Sequence, residues 1–106
     1  MSNVSEYKDI VAFPPGYYIA DIIEDMGISQ AEFTARIGIT AKALSQLING
    51  QANISNDLAK KLSVMMGTSA EVWLNLQDTY NQKLIEIQQA KDFDAQKELA
   101  KRLTIN

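Results

Sequence analysis

Read along the chain, apolar residues recur at helical rather than strand spacing. Ile19, Ile22, Ile23 and Met26 fall at i, i+3, i+4 and i+7, the core stripe of an amphipathic helix over residues 16–26. Phe13-Pro14-Pro15-Gly16 precedes it and forces an extended approach, because a residue before proline is driven out of the helical region. Phe33 and Ile37 mark a second helix over 29–37, with Ser29 as N-cap, Glu32 three residues on as in a capping box, and Gly38 at the break. Thr40 caps a third, over 40–48, with Leu44, Leu47 and Ile48 as its apolar side; Asn49-Gly50 ends it. Leu58, Leu62, Met65 and Met66 predict a fourth over 56–66, capped by Ser55 or Asn56 and read as core packing. Thr68 and Glu71 form a second capping box that opens a long helix over 69–90, with Trp73, Leu76, Tyr80, Leu84 and Ile87 down one face. Asp92-Phe93-Asp94 interrupts the pattern, and Asp94 caps a short last helix over 94–103 that carries Leu99 and Leu103.

The expected fold is therefore all-α, a bundle of five or six helices with no strand-like alternation. Its organisation reads as an N-terminal arm over 1–13, a helical domain with a long C-terminal helix over 14–90, and a short helix or tail over 91–106. The stripe of the long helix outruns what four short helices can cover. Its far half is therefore expected to pack on a second copy, making a homodimer.

The segment from Ser29 to Gly50 carries the functional signal. Two short helices joined by a tight glycine-containing turn cross steeply, a geometry that lets the second protrude into a DNA major groove. On that second helix Lys42, Ser45, Gln46 and Asn49 make one polar stripe at i, i+3, i+4 and i+7. None is acidic and all donate hydrogen bonds. Ala41 is small enough to sit against a base edge or a thymine methyl. A solvated face with no role is the competing reading, and the capped, glycine-broken helix pair argues against it.

Composition narrows the choice. With 106 residues, 46% hydrophobic and 22% charged, the chain reads as one globular domain. It has no Cys and no His, so disulfides, thiolate metal sites and the usual acid–base catalysts are unavailable. There is no phosphate-cradling GxxxxGK loop, and Ser29 and Ser45 have no base to activate them. The expectation is a protein that is not an enzyme and uses no metal, cofactor or small-molecule substrate. No run of about 18 apolar residues exists, and the N-terminus lacks signal-peptide character, so a cytoplasmic location without membrane contact is expected. The net charge of −3 weighs against DNA binding until its distribution is considered. Residues 1–25 carry Lys8 against Glu6, Asp9, Asp21, Glu24 and Asp25, a balance of −4. Residues 26–70 carry Arg36, Lys42, Lys60 and Lys61 against Glu32 and Asp57, a balance of +2. Residues 71–106 balance to −1. Only the middle segment is positive, and weakly. Because phosphate contacts set the salt-dependent part of affinity, a single copy should bind DNA modestly.

From Pro14 to Leu76 the chain resembles the HigA/VapI-type antitoxins, a branch of the phage-repressor-like (Xre) helix-turn-helix family. The resemblance rests on Pro14-Pro15-Gly16, Ile28-Ser29-Gln30-Ala31-Glu32-Phe33, Ile37-Gly38-Ile39, Leu44-Ser45, Asn49-Gly50 and the run from Gly67 to Gln77. The Pro-Pro-Gly opening together with that last run is its most specific part. It implies a small helical homodimer that binds double-stranded operator DNA, represses its own operon and neutralises a toxin, commonly a RelE-like ribonuclease that cuts messenger RNA. It also implies that Gln30, Thr40 and Asn49 contact phosphates, and that Ala41, Lys42, Ser45 and Gln46 face base edges. A free-standing Xre-type repressor without a toxin, and a helical interaction module whose DNA face has decayed, are the competing readings. Three departures stand out. Thr34 replaces the usual Ala at the helix crossing, where its hydroxyl can bond a carbonyl one turn back and a looser or shifted crossing is expected. Gln51 stands where a basic residue is common, and Ala41 and Ala43 leave the recognition helix poor in base-reading groups.

Overall fold

The computed structural model describes residues 4–104. It contains a β-hairpin followed by five helices: β1 (Ser5–Tyr7), β2 (Ile10–Ala12), α1 (Pro15–Met26), α2 (Gln30–Ile37), α3 (Ala41–Ile48), α4 (Asn56–Met66) and α5 (Ala70–Thr104). The helical expectation over residues 16–66 holds to within a residue or so at each end. Serine and threonine side chains open α2, α3 and α4: Ser29, Thr40 and Ser55 accept from the backbone N–H groups of Glu32, Ala43 and Leu58. Each satisfies a donor that the first helical turn leaves unpaired. The fifth helix is capped differently from expectation. Val72 N–H donates to the Ser69 hydroxyl at 3.3 Å, while the Thr68 hydroxyl accepts the Trp73 indole N–H at 3.0 Å. Trp73 is almost wholly buried, and its N–H must find an acceptor there; Thr68 supplies it.

The core is built from the predicted stripes. Ile19, Ile23, Phe33, Ile37, Leu44, Leu47, Leu62 and Trp73 are buried together, joined by Ile54 and Ala59. Gln77, like Thr34, is a polar residue buried beside this core. Its Oε1 accepts the Ile54 N–H at 2.8 Å, and its Nε2 donates to Asn53 and Asn81 at 3.1 Å each. It thereby pins the α3–α4 loop to α5. Gln77→Ala is expected to cost about 2 kcal/mol in urea unfolding, since it leaves the buried Ile54 N–H without an acceptor; an unchanged midpoint would show that water replaces the side chain.

Two expectations are corrected. The segment read as an arm forms the antiparallel hairpin β1–β2, paired Ser5 to Ala12, Glu6 to Val11 and Tyr7 to Ile10. Its strands are three residues each, too short for alternation to register. The hairpin packs on α5: Ala12, Tyr80 and Ile87 are buried in one cluster with Tyr7, Ile10 and Leu84. The stripe of α5 expected to need a second copy is thus covered by the chain's own N-terminus. The first three residues of the expected arm lie outside the described residues.

The second correction concerns the expected helix over 94–103, which is no separate element. α5 runs unbroken for 35 residues, about 52 Å at 1.5 Å per residue. Aspartate is only a mildly poor helix former, by about 0.7 kcal/mol against alanine, and both aspartates are bonded. Asp92 accepts from Gln88 Nε2 at 2.9 Å. Asp94 accepts from the Tyr7 hydroxyl at 2.5 Å and pairs with the Lys8 ammonium at 2.7 Å. Lys8 sits at the hairpin turn with φ 55, an unfavourable left-handed conformation held by this pair.

The Lys8 bond and then the Tyr7 bond hold the Asp94 carboxyl below its ordinary 3.8. The same contacts raise Tyr7 above 10.0 and Lys8 above 10.5. Hairpin docking should therefore be at full strength at neutral pH. It weakens as pH falls from 3.8 through the lowered Asp94 value, and again as pH rises past 10.0. Amide-exchange protection of the hairpin, followed against pH, should show an acid limb that Asp94→Asn abolishes. An identical acid limb in the variant would mean that Asp94 does not anchor the hairpin.

Candidate nucleic-acid interface

α2 and α3 meet across a short break in which Gly38 adopts φ 79, a left-handed conformation open to glycine at little cost. The N–H groups of Gly38 and Ile39 both donate to the Thr34 carbonyl, at 2.9 and 3.1 Å. This shared acceptor ends α2 and turns the chain into α3. Thr34, at the crossing, is buried, and its hydroxyl donates to the Ala31 carbonyl at 2.9 Å. The departure from alanine is thus accommodated by a bond one turn back.

Phe33, Ile37, Leu44 and Leu47 bury the inner sides of the pair, which fixes what the outer side of α3 shows. Ala41, Lys42, Ser45 and Asn49 are exposed there, and Gln46 is half-exposed beside them. The stripe is continuous: Asn49 Nδ2 lies 3.4 Å from Ser45 Oγ one turn away. Gln30 is exposed at the first position of α2, and Thr40 is exposed just before α3. The Thr40 oxygen accepts from Ala43 N–H at 3.0 Å, so its hydroxyl proton remains available to an outside acceptor. The fold thus brings the seven residues singled out from the sequence, Gln30, Thr40, Ala41, Lys42, Ser45, Gln46 and Asn49, onto the two helix starts and the outer side of α3. Neither Lys42 nor Gln46 is enclosed by the C-terminal helix.

The electrostatics are restrained. Arg36 pairs with Glu32 at 2.9 Å and Lys61 with Asp57 at 3.4 Å, both exposed i,i+4 pairs that contribute little to stability. Glu32 turns its carboxylate to Arg36. Arg36, Lys60 and Lys61, with Val64 and Met65, line an open cleft of about 460 Å³ between α2 and α4. Three of the four cations of the positive middle segment therefore gather at this cleft, and Lys42 is the one on the α3 stripe. Sequence reasoning found the charge balance but missed this placement, which depends on α2 packing against α4.

Capped α2, glycine turn and amphipathic α3 define a helix-turn-helix domain. The helix-turn-helix family model matches residues 19–73, slightly more than half of the chain, and the chain belongs to that family, in its Xre-type form. Among curated proteins it is 34% identical over 67 residues to the Escherichia coli K12 regulator YddM, described as an uncharacterised HTH-type transcriptional regulator. That match covers 63% of this chain and 71% of the relative. Among solved structures it is similar to a Coxiella burnetii addiction-module antidote protein of the HigA family, with a TM-score of 0.70, 27% identity, and coverage of 78% of this chain and 91% of that one. It is also similar to a Pseudomonas aeruginosa protein crystallised with its operator DNA, with a TM-score of 0.64, 27% identity, and coverage of 70% and 81%.

Proposed function

We propose that this protein is the antitoxin of a type II toxin–antitoxin pair, a cytoplasmic homodimer that binds operator DNA through α3, represses its own operon and neutralises a RelE-like, messenger-RNA-cleaving toxin. The observation that carries the DNA part is the unobstructed stripe Lys42, Ser45, Gln46 and Asn49 on a helix whose buried side fixes its orientation. Lys42, Ser45 and Gln46 read base edges and Ala41 gives room for a base or methyl group. Gln30, Thr40 and Asn49 hold phosphates at the helix starts and the end of α3. The antitoxin part is supported by similarity to the HigA-family antidote protein, and the repressor part by similarity to the protein solved on its operator. Charge fits the division of labour: the segments outside the helix-turn-helix carry the negative balance, −4 over residues 1–25, which suits a basic protein partner.

Co-expression with the product of the adjacent small open reading frame tests this. Growth rescue, co-purification and retardation of the upstream DNA are all expected. The similarity to YddM favours one other reading, a free-standing repressor of the same fold. In that case the DNA shift persists while rescue and co-purification both fail.

A further inference from the structure

α4 has a face that the core does not use. Leu58, Ala59 and Leu62 pack in or against the core. Asp57, Lys60, Lys61, Val64 and Met65 follow one another at i, i+3, i+4, i+7 and i+8, one side of a helix. This side lines the cleft together with Arg36 and Ile37 from the end of α2. At about 460 Å³ the cleft falls within the ~300–1,000 Å³ range of small-molecule sites. Two chemistries meet in it. Arg36, Lys60 and Lys61 set three positive charges against the single lining carboxylate of Asp57, while Ile37, Val64 and Met65 are apolar. A lone surface valine would need no explanation. Val64, 87% exposed, instead stands in a concavity among cations.

The charges are available to a guest. Lys61 meets Asp57 at 3.4 Å, with the Asp57 side chain 80% exposed, a solvent-screened pair that a competing anion can readily displace. Arg36 bonds Glu32 through Nη2, which leaves the other guanidinium N–H groups to donate. Lys60 makes no ion pair among the described residues.

We propose that this cleft binds a small anion with an apolar body, a carboxylate or phosphate carried on a hydrocarbon or aromatic group. The cations select the anion and the apolar lining selects the body. A neutral apolar guest would strip water from three cations and give them no partner. A bare anion would leave Val64 and Met65 in water and gain nothing from their burial. A DNA backbone offers phosphates but no apolar group to cover Val64. The position in the fold adds a consequence. Arg36 and Ile37 immediately precede Gly38, whose φ of 79 turns the chain into α3, so an occupant touches the end of the helix that leads into the turn.

Octanoate is a suitable probe, titrated into the full-length protein and followed by calorimetry and by the methyl resonances of Val64 and Met65. One site is expected, with both residues' methyl groups shifting. Octanol lacks the charge, octylammonium reverses it and acetate lacks the body; each should bind about tenfold or more weakly than octanoate, having lost either the charge-assisted bonds or the apolar contact. Octyl phosphate set beside octanoate tells the two headgroups apart, and binding of either at these residues supports the site. Lys60→Gln with Lys61→Gln, both at exposed positions, should keep the thermal melt and weaken octanoate by about tenfold or more. Octanol or acetate binding as tightly as octanoate would overturn the proposal. So would octanoate affinity unchanged in the double variant, or Val64 and Met65 methyl groups that do not shift. Displacement of octanoate by one equivalent of operator DNA would overturn it as well, by assigning the cations to the DNA backbone. None of the seven residues at the DNA interface is altered in these experiments. Loss of the cleft site therefore leaves the proposed function standing, and a protein that takes octanoate here yet fails to retard operator DNA counts against the proposed function alone.

Discussion

Replacing Lys42 and Gln46 together by alanine should weaken operator binding by about 2–6 kcal/mol, since each well-formed bond to a base edge is worth about 1–3 kcal/mol. The fold should not notice. Lys42 is exposed and Gln46 half-exposed, on the side of α3 away from the core, and alanine is a strong helix former. Surface changes of this kind normally stay within about 0.5 kcal/mol of stability. The pairing of a large drop in affinity with an unchanged melting curve is the informative outcome. Fluorescence anisotropy on labelled operator, beside a thermal melt of the same preparations, measures both. Gln30→Ala, at a position proposed to contact phosphate, should instead weaken binding to specific and nonspecific DNA by similar factors, because phosphate contacts carry no direct sequence information. If the double variant binds operator as the parent does, α3 is not the reading element, and the decayed-interface reading takes its place.

The largest stability effect is expected from a single methyl group. A Cβ built on Gly16 would lie 1.9 Å from the Leu47 carbonyl oxygen, 2.2 Å from its carbon and 2.5 Å from the Ile48 nitrogen. All three are backbone atoms of α3, so no side-chain rotation relieves the overlap. α1 would have to move off α3, disturbing Ile19, Ile23, Leu44 and Leu47, which share the core. In a helix alanine is ordinarily better than glycine by about 1 kcal/mol; here the clash should exceed that gain. Gly16→Ala is expected to destabilise by at least about 3 kcal/mol, the upper range for overpacking, seen as a lowered urea midpoint. Because α3 is held against α1 at this contact, operator affinity should fall with it. A variant as stable as the parent would mean that the two helices are not in backbone contact.

These two predictions mark what was legible in the sequence. The stripe on α3 follows from local spacing alone: once Leu44 and Leu47 face inward, Lys42, Ser45 and Asn49 must face outward. Capping residues and left-handed glycines are likewise local, and α2, α3 and α4 begin and end where those signals stand. The reason for Gly16 was not legible. In the sequence it is a helix-start residue after two prolines, and only the approach of α3 reveals why a side chain is excluded. Asp94 misled for the same reason. Its propensity to cap a helix start is a local signal of about 1 kcal/mol, overridden here by partners 86 and 87 residues away at Lys8 and Tyr7. The hairpin escaped notice because three-residue strands carry almost no periodicity, and their stability comes from lying on α5. Short-range rules found what short-range forces determine; pairings between the two ends of the chain needed the folded molecule.

The Tyr7–Asp94 bond spans 87 positions of a 106-residue chain, with a consequence for biosynthesis. The hairpin leaves the ribosome well before the surface that shelters it. At about 5–20 residues per second, Tyr7 and Ile10 wait several seconds before Tyr80, Leu84 and Ile87 exist to cover them. The helix-turn-helix, whose contacts are mostly local, can form in that interval, since short loops close far faster than translation proceeds. Maturation should therefore proceed in two stages: the helix-turn-helix takes shape first, and the clasp of Tyr7 and Lys8 on Asp94 closes only once the later part of α5 has emerged.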